Sequence, residues 1–598
     1  MIELSRLRGA LASLAVIAFL SLPVSAQGFL CLEGGGDFAE GDWETGLVQW
    51  ALDKAGPEPT VVVLSVGGSG GSIVTSFLNQ GATTVLNLPV FGVEADNLAI
   101  FNTLTLADIV WIADESLPLQ LGHWGGTLVE LALEFFYSEG GVLGASGSGA
   151  QLLGGVAYDA SNGDLDARDA LVDAFDPRVA FTSPLLDVLP GILVDEKFTL
   201  LGRLGRLPVL VARAEQELQI DVLGIGVDRR TGLCIEPNMQ AEVIGEGSVT
   251  LLHDLPESRI KLEPGVPPTV SDLRLLSMVE GYRVDLTTRA VLARAPSAVL
   301  QGPPISDPIF ATLNVQGQST ESAKLGDVRT LFPLGSNSHF LGALQVVDGQ
   351  NMLLRTIVSP HTWKFLPARE STVGGVQYAL SQSPHFLAIL LDEGVRVRTS
   401  EADTLLVLPV NGETPRSAVL IDTFGVTSTA TSTYVAEPGT SVGPRQSAAL
   451  EDARLHVLRP GDGFDSEVHT SLFPEDAWIG LGDGLGGSLG EPVLTGDGVI
   501  IDFNLIHASL TNAAPGSMAF LILGFGALGQ SFKTGTLVPT PDSISMAVPT
   551  DPSGEIHLSA LWPGDIPRGF ELYAQFWIAD STAGVGWAAS NGMLIQAP

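Results

Sequence analysis

Gly141-Val142-Leu143-Gly144-Ala145-Ser146-Gly147-Ser148-Gly149-Ala150-Gln151 is the stretch on which the reading of the fold turns. A short apolar run reads as a strand, a turn of tiny residues follows, and a helical pattern begins near Gln151. That is the shape of a nucleophile elbow, where a sharp bend with small neighbours projects one side chain at the carboxyl edge of a sheet, beside free helix N–H groups. On spacing alone the same residues also make a Gly-rich connection with no catalytic role. The flanking sequence decides the architecture around them. Phe29 to Leu32 reads as a strand ending at Gly34-Gly35-Gly36, and Trp43 to Ala55 as a helix. Thr60 to Val66, Asp108 to Ile112 and Gly141 to Gly144 read as further strands, with helices over Ile73 to Asn79 and Leu128 to Tyr137. Strand and helix alternating in this way predict an α/β domain, a parallel sheet with helices on both faces, whose site gathers at the carboxyl ends of its strands.

The wider composition sets limits. The chain has 598 residues and 45% apolar content, enough for several packed domains and incompatible with a disordered chain. Asp and Glu number 67 against 30 Lys and Arg, a net charge of −37 that argues against nucleic acid as a partner. Two cysteines, Cys31 and Cys234, exclude a disulfide-rich scaffold and any Cys-based zinc cluster. Both sit in apolar strand-like runs, as buried free thiols or as a pair. The nine histidines never fall at ligand spacing such as His-x-His, so neither a metal nor another cofactor is expected. Gly67-Gly68-Ser69-Gly70-Gly71, between a strand and a helix, could cradle an anion but lacks the Lys-Ser/Thr of a P-loop.

The organisation follows from patterning. Arg6 and Arg8, an apolar run from Gly9 to Leu22 and Pro23-Val24-Ser25-Ala26 read as a secretory signal peptide over 1–26, cleaved after Ala26. Export to the periplasm, the cell surface or the medium is the expectation, with no transmembrane segment thereafter. The α/β domain is expected over 27–265, ending at a linker marked by Pro264, Pro267 and Pro268. A β-rich region over 266–480 follows. Gly480 to Gly490 reads as a second linker, ahead of a β-sandwich over 491–598. There Ile556, Leu558 and Ala560, and Leu572, Ala574, Phe576 and Ile578, alternate with their neighbours at the period of half-buried antiparallel strands.

Several motifs in order resemble the cyanophycinase and peptidase E family of serine peptidases, whose fold is like that of class I glutamine amidotransferases. The resemblance runs from about Gly28 to Leu252. Its carriers are Leu32-Glu33-Gly34-Gly35-Gly36-Asp37, the elbow Val142 to Ala150, and Val194-Asp195-Glu196-Lys197-Phe198 with Gly202-Arg203-Leu204-Gly205-Arg206-Leu207 after it. Leu223 to Asp228 and Ala241 to Gly245 are similar to the family's closing strands. The family elbow is usually Gly-Thr-Ser-Ala-Gly-Ala, so the resemblance puts Gly147 at the nucleophile, with Ser146 and Ser148 on either side. It puts Lys197 at the base histidine and Arg229 at the orienting acid. Asp114, in Ala113-Asp114-Glu115-Ser116, falls near the pocket for substrate and oxyanion, where a carboxylate opposes developing negative charge. Arg203 and Arg206 match family arginines near the substrate, which implies that they bind a carboxylate or peptide; the residues by themselves also read as a solvated helix face. Glycine offers no attacking atom. The leading expectation is therefore an exported cyanophycinase-like protein whose peptidase centre has decayed and which binds a peptide or carboxylate ligand or serves as a scaffold. One alternative is an active hydrolase of Asp-linked peptides with a Ser-Lys centre built from Ser146 or Ser148 with Lys197. Another is a cell-surface adhesion protein whose first domain is a platform. His123, in a turn before a helix, and His253, closing a strand at the surface, are secondary candidates.

Overall fold

In the computed structural model the described residues are 28–198, 201–294, 404–422, 451–465, 468–545 and 547–598, with short backbone strands between 345 and 450. The signal segment, His339, His361 and His385 lie outside them. The chain begins with β1 (Phe29–Glu33), α1 (Thr45–Ala55), β2 (Thr60–Ser65), α2 (Gly71–Asn79), β3 (Thr84–Pro89), α3 (Leu98–Thr105), β4 (Ile109–Ile112), α4 (Leu117–Trp124), α5 (Leu128–Ser138) and β5 (Val142–Ser146). β1, β5, β4, β2 and β3 lie side by side in that order, all parallel.

Helices cover both faces of this sheet, and the period of two in its strands shows how. Leu30, Leu32, Val62, Leu64, Val110 and Ile112 pack with Trp124, Leu133 and Phe136 of α4 and α5. Cys31, Val61, Val63, Ile109 and Trp111 point the other way, against Leu47 and Ala51 of α1 and Phe77 of α2. Strands buried on both faces need near-continuous apolar runs, which is what Thr60 to Ser65 and Ile109 to Ile112 supply.

The expected single sheet divides in two. After the elbow come β6 (Gly154–Tyr158), α6 (Ala167–Ala170), β7 (Phe181–Thr182), β8 (Leu189–Glu196), α7 (Leu207–Leu218), β9 (Leu223–Val227), β10 (Thr231–Ile235), β11 (Gln240–Gly245) and β12 (Ser248–His253). β10 returns antiparallel to β1 in the first sheet, whereas β6, β8, β9 and β12 build a second. The elbow is the crossover between the two sheets.

The expected boundary at 265 is not where pairing stops. β13 (Arg259–Lys261), β14 (Thr269–Val279), β15 (Arg283–Asp285) and β16 (Ala290–Ala293) follow. β14 pairs with β12 on one side and with Leu450–Leu458 on the other, while β15 and β16 extend the first sheet beyond β11. The second sheet thus runs from the α/β domain into the middle β region. One apolar core spans the join, with Leu193, Leu210 and Leu252 packed beside Val419, Ile421, Leu455 and Val457. The prolines at 264–268 mark a turn between paired strands rather than a domain linker.

Gly480 to Gly490 is likewise not a linker. Trp478–Gly482 pairs with Gly592–Gln596 at the chain's end, and Leu485 bridges to Ala589. The last module therefore starts near Trp478. It is a β-sandwich: Leu494, Leu510 and Ile556 of a three-stranded sheet share a core with Ala519, Phe576, Ile578 and Ile595 of a larger one. The alternation over Leu572 to Ile578 is accompanied by burial of the opposite face too, because the hairpin Ala527–Phe532 and Gly535–Pro539 folds over Trp577 and its Val538 N–H donates to Gln575 Oε1 at 3.0 Å. No helix among the described residues is long and apolar enough to cross a membrane.

Candidate functional site

The carboxyl ends of β1, β4, β5 and β8 converge on the elbow. Gly147 follows β5 with φ +52°, a left-handed conformation in which an L side chain is strained. Above it stands the carboxylate of Asp114, just past β4. A Cβ built on Gly147 would sit 2.5 Å from Oδ2 of Asp114, and closer still to its Cγ and Oδ1. The Ser148 N–H donates to Oδ1 of Asp114 at 3.1 Å. In an elbow, the amide after the apex is the one that receives a substrate oxyanion, so the chain's own carboxylate takes that donor. Oδ2 of Asp114 pairs with Lys197 Nζ at 2.8 Å, both side chains about one-third exposed. Lys197 is itself left-handed, φ +49°, and its N–H donates to Gly34 O at 2.8 Å, which ties the end of β8 to the end of β1. Gly35 lies directly beneath the Lys197 stem, where any side chain would collide with Cε.

The serines beside the apex have other partners. Ser146 is buried, and its Oγ accepts from Trp111 Nε1 at 2.9 Å. Ser148 Oγ donates to Glu196 at 3.2 Å. Lys197 bonds to neither. The three residues of the expected Ser-Lys centre thus stand near one another without the contact that would let the amine draw a proton from a hydroxyl.

Arg203 and Arg206 lie on no solvated face. Both are buried, and both guanidinium groups are engaged from within. Arg203 donates to Asp195 at 2.9 Å and to the Glu196 carbonyl at 2.6 Å, and pairs with Asp164. Arg206 grips Asp195 through two nitrogens, at 3.0 and 2.6 Å, and reaches Asp164 and the Leu165 carbonyl. Holding an outside carboxylate would require displacing these acids. Burial raises the pKa of Glu196, but Arg203, Arg206 and then Lys197 outweigh it and hold it down to about 2. Arg229 points away from the elbow to Glu40, which also pairs with Arg230.

Glu33 escaped notice at the sequence level except as part of a Gly-rich motif. It is fully buried at the end of β1, in register with Ser146, and neither carboxylate oxygen has a partner at hydrogen-bonding geometry. Burial drives its pKa up to about 8, Asp114 adds to the rise, and Ser146, Gly35 and Lys197 only partly oppose it. An acidic residue closing an otherwise apolar strand was the signal that could have drawn attention to it.

The anion cradle expected at Gly67 to Gly71 is filled by the chain. Glu115 accepts from Val66 N–H, Gly67 N–H and Ser69 Oγ at 2.5, 2.7 and 3.0 Å. His123 lies in the last turn of α4, not in a turn before a helix; its ring packs on Phe91 and its Nδ1 accepts from Gly92 N–H. His253 is buried rather than at the surface, and burial depresses its pKa. Glu215, Asp221 and Asp254 bring one carboxylate oxygen each within 4.8 Å of the others, the one grouping of this kind among the described residues. Arg289 pairs with Asp221 and the Val222 N–H donates to Glu215, yet burial still pushes Glu215 up to about 7 and raises Asp254.

Cyanophycinase of Trichormus variabilis is 38% identical over 111 residues, covering 18% of this chain and 35% of that protein. Cyanophycinase of Synechococcus elongatus is 30% identical over 154 residues, covering 25% and 44%. Part of this chain is similar to cyanophycinases. The matches span between a third and a half of those relatives' length. No protein-family model matches the chain. Among solved structures, a peptidase from an acI-B1 Actinobacterium aligns with TM-score 0.31 and 13% identity over 44% of this chain and 99% of that one. A peptidase E protein of Listeria monocytogenes aligns with TM-score 0.25 and 11% identity over 37% and 98%. The elbow is present as a backbone shape, with Gly147 at its apex and the Asp114–Lys197 ion pair beside it, whereas Arg229 is paired with Glu40.

Proposed function

We propose that the cyanophycinase-like domain is a non-hydrolytic relative of the peptidases it resembles and serves as a folded platform for the β modules that follow it. The observation that supports this reading is the carboxylate of Asp114, which stands over Gly147 and takes the Ser148 amide. Acyl transfer at an elbow needs a nucleophile at the apex and a vacant donor for the oxyanion. A glycine and a resident anion deny both. The two buried arginines, each paired with internal acids, support a platform rather than a carboxylate-binding cleft. The same reading includes export through the leader over 1–26, for which amino-terminal sequencing of secreted protein is the test, with Gln27 as the expected first residue.

The assay for the centre is direct. Purified protein is incubated with cyanophycin and with β-aspartyl dipeptides, and released amines are counted. No turnover above the uncatalysed rate is expected. Turnover that Ser146→Ala, Ser148→Ala or Lys197→Ala abolishes would overturn the reading and establish the Ser-Lys alternative.

A further inference from the structure

We infer that Cys31 and Cys234 are a cross-strand disulfide site, closed during folding by thiol–disulfide exchange with an external disulfide. Cys31 lies on β1 and Cys234 on β10, directly opposite each other in an antiparallel pair. Side chains so placed project from the same face, with Cα atoms about 4.5–5.5 Å apart, inside the range a disulfide spans. In the reduced form the two sulfurs sit 3.5 Å apart, so the Cβ vectors already converge. The chain has two cysteines in all, so neither has another intramolecular partner.

The bond would join two places far apart in sequence. The residues are 203 positions apart, and β10 is the strand that brings the chain back to the first sheet after the second has been built. Locking β10 to β1 closes a loop containing the elbow, β8 and both buried arginines. The chemistry balances simply. The external S–S bond breaks, an S–S bond forms between the two Sγ atoms, and the two thiol protons leave on the released small thiols.

Timing follows from burial. Both thiols are shut away under α1, among Leu47, Val48 and Ala51. Burial, with Cys31 beside it, pushes the Cys234 thiol up well above its ordinary range, so little thiolate exists once the sheet has closed. Exchange therefore belongs to the stage at which β10 docks, and the finished bond is protected from reductant by the same packing.

The test uses the full chain made by cell-free synthesis in two buffers, one poised with oxidised and reduced glutathione, the other containing dithiothreitol. Each product is denatured, alkylated with N-ethylmaleimide and weighed intact. The expected result is no adduct in the glutathione sample and two in the dithiothreitol sample, with a peptide linking Cys31 to Cys234 in the first alone. Two adducts, or glutathione carried on either cysteine, in the first sample would refute the site. Melting gives a second readout. The oxidised form should melt roughly 5–10 °C above the reduced form, and Cys234→Ala should erase that difference. A difference that persists in the variant would count against the bond.

Discussion

A side chain on residue 147 and the carboxylate of Asp114 compete for one volume. Gly147→Ser is therefore expected to lower stability by about 1–3 kcal/mol through overpacking, with no gain of hydrolysis. Asp114→Gly alone should cost little, since its ion pair with Lys197 is partly exposed. Combining the two should recover much of the loss, and a double-mutant cycle read by thermal melting would show that coupling; strictly additive losses would mean that the two positions do not meet. Glu33 makes a separate claim at the same scale. Its carboxyl stays protonated in the folded chain up to about pH 8, against an ordinary value of 4.5. Between those values the folded state holds the extra proton, so rising pH favours unfolding. Wild type should lose up to a few kcal/mol through this residue from about pH 5 to about pH 8, and Glu33→Gln should flatten that slope in melts taken across the range. Glu196 acts in the opposite sense: its contribution is present above its ordinary value of 4.5 and is lost as the pH falls from there towards about 2.

Two arginines at the start of α7 hold three acids contributed by β8 and the segment before α6. Arg206→Met would leave buried Asp195 with Arg203 as its remaining cationic partner, a loss of about 3 kcal/mol measurable by denaturant titration. Hydrogen exchange should rise over residues 159–206 first, because Arg206 also ties down the Leu165 carbonyl. If exchange rose uniformly instead, the network would not be what fastens this element. Elements differ in how openly their sequences declare them. β1, β2, β4 and β5 are short, dominantly apolar runs, and their boundaries were read to within a residue or two. β3 was missed because it is an edge strand that carries Asn87 and Pro89, tolerable only where one side is unpaired. α4 was missed because the glycines around His123 read as a turn, although Pro118 sits in the helix's first turn, where proline forfeits no hydrogen bond.

Across the whole molecule, β14 couples what looked like separate domains. A fragment ending at 265 would strip β12 of its neighbour and expose Leu251, Leu252 and Val249 along an open sheet edge. Such a fragment should aggregate on size-exclusion chromatography, whereas one retaining residues 28–598 should elute as a defined species; a monomeric, cooperatively melting 28–265 fragment would show that the join is dispensable. The fold class, most strands and helices of the first sheet and the glycine at the apex of the elbow were legible in the chain, because periodicity and residue identity are local. Which way a charge turns is not local. Tertiary packing alone decided that Arg203 and Arg206 face inward onto acids brought from β8 and from the segment before α6, that Asp114 stands where a side chain on residue 147 would sit, and that Glu33 loses its water, since each outcome depends on how strands remote in sequence meet at one sheet edge.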